Sequence, residues 1–170
     1  MKSYDTGGAP AVLFASAKLD LARSPSRVEV LMATSPAGWL PASVELAWQD
    51  DIAWLQEVAP RAGGHWRFPL REEVEVHAAT QLAHELLVPL GWLSESPDAI
   101  FPAAEVDLEV TPLEGASGTR IELRARISAP AAWDGHSAQR AAAQRAAAQR
   151  FSSRLMARIG VRLVGAVVAA

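Results

Sequence analysis

Glu72 and His84 are the residues whose types and spacing could do chemistry, because each interrupts a row of alternating apolar residues. Trp66, Phe68, Leu70, Val74 and Val76 share one parity around Glu72, and Leu82, Leu86, Val88, Leu90 and Trp92 share one around His84. A three-residue turn centred on Ala79 would set the two rows opposite each other, Glu72 against Leu86 and Val74 against His84. The carboxylate and the imidazole then lie on a diagonal, about 7–8 Å apart at Cα. A buried carboxylate beside an imidazole could hydrogen-bond a ligand carbonyl or hydroxyl, or act as a general acid and base. Two plainer readings stand beside this one: a bulge at Pro69 that turns Glu72 outward, or a His84 that satisfies a hydrogen bond within the core.

The elements that must position such a pair are clearest in the last eighty residues. In 106–110 and 120–127 every second residue is apolar and the intervening ones are almost all charged, the period of half-buried strands. Pro112 and the Gly115-Ala116-Ser117-Gly118 run break the pattern, so the two strands should pair antiparallel. After Pro130 the period changes. Residues 134–137 can cap a helix, and 138–162 hold no proline, one glycine and many strong helix formers, which predicts a helix of about 40 Å that needs a sheet to lie against. Upstream, 11–21 alternate loosely as a first strand. Pro25 near the first turn and the Ser26/Glu29 spacing predict a short helix to about Ala33, and 35–41 suggest a second single-turn helix or bent loop. From Val44 the texture reads as strand in four stretches, 44–48, 52–58, 66–76 and 82–92. The expected order is one strand, two short helices, six strands and the long helix.

Composition fits one domain. The chain has 170 residues, half of them apolar and 21% charged, enough to bury a sizeable core. It has no cysteine, which excludes disulfides and thiolate metal sites. The N-terminus lacks the layout of a secretory signal and the apolar tail 161–170 is too short to span a bilayer, so the expected location is cytoplasmic, without membrane insertion. His65, His77, His84 and His136 show no ligand-like spacing with acids, and phosphate-loop, dinucleotide, zinc-protease, nucleophile-elbow and EF-hand motifs are absent; neither metal nor cofactor is expected. The net charge of −3 hides an asymmetry. Arg140, Arg145, Arg150, Arg154, Arg158 and Arg162 lie on the terminal helix, which carries no acid. Such a stripe reads either as a solvated outer face or as an interaction surface, and no nucleic-acid partner is expected.

The stretches 87–92, 100–102, 106–113 and 118–123, with Ser24-Pro25-Ser26-Arg27-Val28 and Trp39-Leu40-Pro41 upstream, resemble bacterial members of the START-like (SRPBCC) superfamily, which includes polyketide cyclases and lipid-transfer proteins. Arginine outnumbering lysine 14 to 2 agrees with a GC-rich bacterial coding bias. The resemblance implies an α+β helix-grip fold, a seven-stranded antiparallel sheet wrapped around the long C-terminal helix. It covers 11–165 as one domain, after a flexible N-terminus at 1–10 and before a tail at 166–170.

The resemblance also implies a cavity between sheet and helix. On that reading Trp66, Phe68, Leu70, Leu86 and Trp92 would contribute apolar wall, Glu72 and His84 polar orientation. On the helix, bulky Phe151, Leu155 and Ile159 give way one turn or more earlier to Ala148, Gln144 and Ala141; small side chains either leave room for a ligand or let the sheet close tightly. Trp39, Trp48, Trp54 and Trp133 read as ordinary core or loop anchors. The expected function is binding or transport of a hydrophobic small molecule such as a lipid, isoprenoid or polyketide-like compound. The alternatives are a cyclase/aromatase-type enzyme using Glu72 or His84, and an interaction module acting through the basic helix. The lone Tyr4, near the N-terminus, leaves a mechanism based on a buried phenol without a candidate.

Overall fold

The computed structural model describes residues 11–58, 66–96, 98–115, 117–129 and 138–165. Strand β1 (Val12–Leu21) is followed by helix α1 (Pro25–Ala33), a single turn at Pro36–Gly38, and helices α2 (Leu40–Gln49) and α3 (Ile52–Val58). A turn at Arg71–Glu73 then leads into β2 (Val74–Val76), β3 (Thr80–Leu82), β4 (Glu85–Leu93), β5 (Ala103–Pro112) and β6 (Thr119–Ser128), and the described chain ends in α4 (Ala138–Gly165). The architecture is α+β, an antiparallel sheet over a long C-terminal helix. Among the described residues its sheet has six strands rather than the expected seven, in the order β1-β6-β5-β4-β2, with β3 also on β4.

The alternation read in β5 and β6 sorts the two faces as expected. Val106, Leu108 and Val110 are buried beside Ile121, Leu123, Ala125 and Ile127, while the intervening charges face out. At the connection Gly115 has φ +68°, and a Cβ on Gly118 would stand 2.8 Å from the Leu21 carbonyl oxygen, so both positions need glycine. Strand β1 closes the other end of the sheet against α4. A Cβ on Gly160 would approach Leu19 to 2.8 Å, so the helix comes very near the strand there.

Three expected strands are corrected. Residues 44–48 and 52–58 are helical, in α2 and α3. The buried residues of α2 are Leu40, Val44, Ala47 and Trp48, spaced i, i+4, i+7 and i+8, whereas Leu46 is 40% exposed; the apparent alternation of 44, 46 and 48 cut across a helical stripe. Of 66–76 only the last three residues form regular strand. Pro69 withholds an amide, and Arg67 makes an isolated parallel bridge to Ala99 instead. The hairpin turn is also relocated, from Ala79 to Ala83-His84. Leu82 pairs with Glu85 and Thr80 with Leu87, while β2 pairs further along the same edge, Val74 with Trp92. The expected partnerships of Glu72 with Leu86 and of Val74 with His84 do not form. The expected helix cap at 134–137 and the outer segments 1–10 and 166–170 lie outside the described residues.

Candidate functional site

Helix α2 delivers Trp48 to the middle of the interface between sheet and α4. The indole is 1% exposed and stacks on Phe151 at 4.1 Å between centroids with 7° between planes, and on Phe101 at 4.8 Å and 24°. Trp92 meets it edge-on at 6.1 Å and also meets Phe151 edge-on at 5.6 Å; Phe68 tilts against Trp48 at 5.9 Å. Offset-stacked and edge-to-face contacts at these distances suit the ring quadrupoles. Five aromatic side chains from α2, the segment before β2, β4, the segment before β5 and α4 thus form one interior cluster.

The polar handles of the two tryptophans differ. Trp92 Nε1 donates to the Phe101 carbonyl at 3.0 Å. Trp48 Nε1 is buried and has no acceptor among the described residues. An indole nitrogen donates only, so an acceptor alone could complete it.

A cluster of charges fixes α2 and α3 onto α4. Asp51, at the junction of the two short helices, is 2% exposed. Its Oδ1 accepts from Arg150 Nη2 at 2.7 Å and Nε at 3.1 Å, and its Oδ2 lies 3.1 Å from Arg154 Nε. Asp50 accepts from Arg158 Nη2 at 2.7 Å and lies 3.7 Å from Arg154. The hydrogen bond to Asp51 raises the Arg150 pKa above its ordinary value against the opposing effect of burial. The Arg150 guanidinium also lies 4.6 Å from the centroid of the Trp54 ring, in cation–π contact. The middle of the basic stripe is therefore paired within the chain, Arg150, Arg154 and Arg158 each holding an acid at the junction of α2 and α3.

The expected site residues divide. Trp66, Leu86, Trp92, Gln144 and Ala148 are buried, and Phe68 and Ala141 are half-buried. Leu70 is 42% exposed and faces away from the core. Glu72 lies exposed in the turn before β2 and His84 exposed in the β3–β4 turn, so neither reaches the interior and the acid/base pair is not assembled. Among the described residues no group of three or more His, Asp and Glu is placed to hold a metal ion, and no helix is long and apolar enough to cross a membrane. Within the alanine stretch of α4 it is Ala147 and Ala148, one turn before Phe151, that are covered, 1% and 0% exposed, while Ala142 and Ala146 face out. Sequence reasoning placed Phe151 on this face but treated Trp48 as an ordinary anchor. The spacing of Leu40, Val44, Ala47 and Trp48 was the signal that could have brought Trp48 inward.

Open concavities lie on the opposite, outer face of the sheet. One of about 490 Å³ is bordered by Glu75, His77, Gly91, Leu93 and Glu105, and another of about 480 Å³ by Phe14, Asp107, Arg124, Arg126 and Gln149.

No family model and no curated protein matches this sequence. Solved structures give loose likenesses. The protein TTHA0849 from Thermus thermophilus is 13% identical with a TM-score of 0.40, over 90% of this chain and 98% of that one. Norcoclaurine synthase from Thalictrum flavum, in complex with dopamine and hydroxybenzaldehyde, is 10% identical with a TM-score of 0.37, over 76% of each chain. Ara h 8.0201 is 8% identical with a TM-score of 0.36, over 88% of this chain and 99% of that one. At such scores, what this chain does must be read from its own side chains.

Proposed function

We propose that the protein binds a hydrophobic small molecule carrying a hydrogen-bond acceptor, in the interior between the sheet and α4. The observation that carries this reading is the buried Nε1 of Trp48, without an acceptor among the described residues, within an otherwise apolar aromatic cluster. Leaving such a donor without an acceptor costs about 1–3 kcal/mol, and a ligand carbonyl, ester or ether oxygen at that edge of the indole recovers it. Phe68, Trp92, Ala148 and Gln144 would contribute the surrounding wall. The close cover over Ala147 and Ala148 means that the ligand replaces side-chain contacts rather than filling a standing void. Carriage rather than turnover fits best, since the exposed positions of Glu72 and His84 leave the interior without that acid/base pair.

The test is native mass spectrometry of the purified protein with organic extraction of any adduct, followed by titration with a matched pair of probes, 2-acetonaphthalene and 2-ethylnaphthalene. The ketone should bind wild type about tenfold more tightly than the hydrocarbon, and Trp48→Phe, which keeps an aromatic ring but removes the N–H with the five-membered ring, should abolish that preference while affecting both probes' apolar contact alike. Equal affinities in both proteins would sink the role of Trp48. Absence of any adduct together with no binding of either probe would sink the interior site itself.

A further inference from the structure

The outer face of the sheet carries a pattern that becomes visible only when the strands are aligned. In register across β1, β6, β5 and β4 run three rows: Val12, Ser128, Ala103, Leu93; then Phe14, Arg126, Glu105, Gly91; then Ser16, Arg124, Asp107, Pro89. Phe14 and Leu93, at opposite sides of the sheet, are 74% and 73% exposed, and Val12 is 44% exposed. Arg126 and Glu105 pair at 3.2 Å with side chains 61% and 77% exposed. Gly91 presents no side chain and forms the floor of the concavity of about 490 Å³ beside β2.

We propose that this face is a dimer interface that takes a second copy of the same chain. A two-fold axis parallel to the strands, running over the seam between β5 and β6, superposes each row on itself in reverse. Phe14 of one copy then enters the Gly91 concavity of its partner, and Val12 covers Leu93. Arg126 lies over Glu105 and Arg124 over Asp107. The charges select this axis. β6 presents arginine in both charged rows and β5 presents acid in both, so an axis over either strand, or one perpendicular to the strands, sets like charge on like. The next row limits the contact, because it would place Glu122 over Glu109. Three rows on four strands give a flat footprint of about 19 by 20 Å at about 4.8 Å between strands and about 6.8 Å between rows. That is about 380 Å² on each copy and about 760 Å² in total, below the roughly 1,200 Å² of a standard specific interface, so the expected dimer is a weak, transient one, with Kd of about 10–100 μM.

Sedimentation equilibrium from 10 μM to 1 mM, on scales set by that expected Kd, tests the proposal. Wild type should pass from monomer to dimer across this range. Phe14→Glu and Arg126→Glu should each weaken association about thirtyfold, the loss typical of a central anchor. The charge swap Arg126→Glu with Glu105→Arg should restore it to within about threefold, since both the pair within the chain and the pair across the axis are re-formed. Circular dichroism confirms the fold of each variant. A protein that stays monomeric throughout, a dimer indifferent to Phe14→Glu, or a swap that fails to restore association overturns the proposal. The interior site stands or falls separately.

Discussion

Replacing Asp51 by asparagine should be among the most destabilising single-atom-scale changes on the helical side of this protein. The carboxylate is 2% exposed and takes both Arg150 and Arg154, so its loss leaves two guanidinium groups facing a neutral amide. Breaking a fully buried ion pair costs about 3–5 kcal/mol. Here Arg150 and Arg154 retain 42% and 39% of their side-chain exposure and can rehydrate, and asparagine keeps one acceptor, which brings the expected loss to about 2 kcal/mol. For 170 residues that is a fall in Tm of about 4–8 °C by thermal denaturation at neutral pH. Asp50→Asn is the control: this carboxylate is 35% exposed, and its removal should cost about 0.5 kcal/mol, a shift of about 1–2 °C that shrinks further in salt. An Asp51→Asn protein melting within 1 °C of wild type, or an Asp50→Asn protein that loses as much, would refute the assignment of the clamp to the buried member of the pair; that 1 °C margin is about the smallest shift such a melt resolves.

The remaining expectations use the same geometry. Burial first, and then the neighbouring Glu85 carboxylate, hold the Glu109 pKa above its ordinary 4.5, with Glu122 adding to the rise and Arg124 opposing it. A raised folded-state pKa means that the ionised form is disfavoured by folding, so stability should increase as pH falls through the folded pKa toward 4.5. Glu109→Gln should therefore exceed wild type in urea midpoint at pH 7 and lose that advantage in acid; equal midpoints at neutral pH would contradict this. Gln149 holds the free edge of β1, donating to the Ser16 carbonyl at 2.7 Å, so Gln149→Ala should raise aggregation on heating, as measured by light scattering, with little change in far-UV circular dichroism. If the proposed interior site is entered by lifting α2 and α3 from α4, Asp51→Asn should speed stopped-flow association of 2-acetonaphthalene up to about thirtyfold, and an unchanged rate would place the entrance elsewhere.

How much of this was legible in the sequence depends on where the pattern lives. In β5, β6 and α4 a single period persists for eight or more residues, and burial follows it closely. The failures lie where a short apolar run satisfies two periods at once. Val44, Leu46 and Trp48 alternate like a strand, yet Leu40, Val44, Ala47 and Trp48 share a helical face, and the proline at 41, favoured in a first turn, tips the balance. The row through Glu72 and His84 failed for a different reason. Its residue types were read correctly, but its register assumed that the turn lay at Ala79. Moving the turn to Ala83-His84 turns His84 into a loop residue and leaves Glu72 in the turn that precedes β2.

Sites assembled from distant elements are harder still, because no local period ties their members together. Trp48, Phe68, Trp92, Phe101 and Phe151 come from five segments, and what distinguishes Trp48 from its neighbours is an absent partner for one nitrogen, a property of the packed state alone. The outer face is an intermediate case. Arg124 and Arg126 alternate along β6 as Glu105 and Asp107 do along β5, and each strand alone reads as a solvated face. Once the register aligns them, every cation has an anion at its mirror position across the seam, and Phe14 has a glycine. The same pattern serves the single chain, where Arg126 pairs with Glu105 at 3.2 Å and a Cβ on Gly91 would meet the Ala104 carbonyl oxygen at 2.6 Å, and a second copy would reuse it. It is the coincidence of charge, shape and register in the same three rows, rather than the exposure of Phe14 alone, that makes a second copy the partner the face fits.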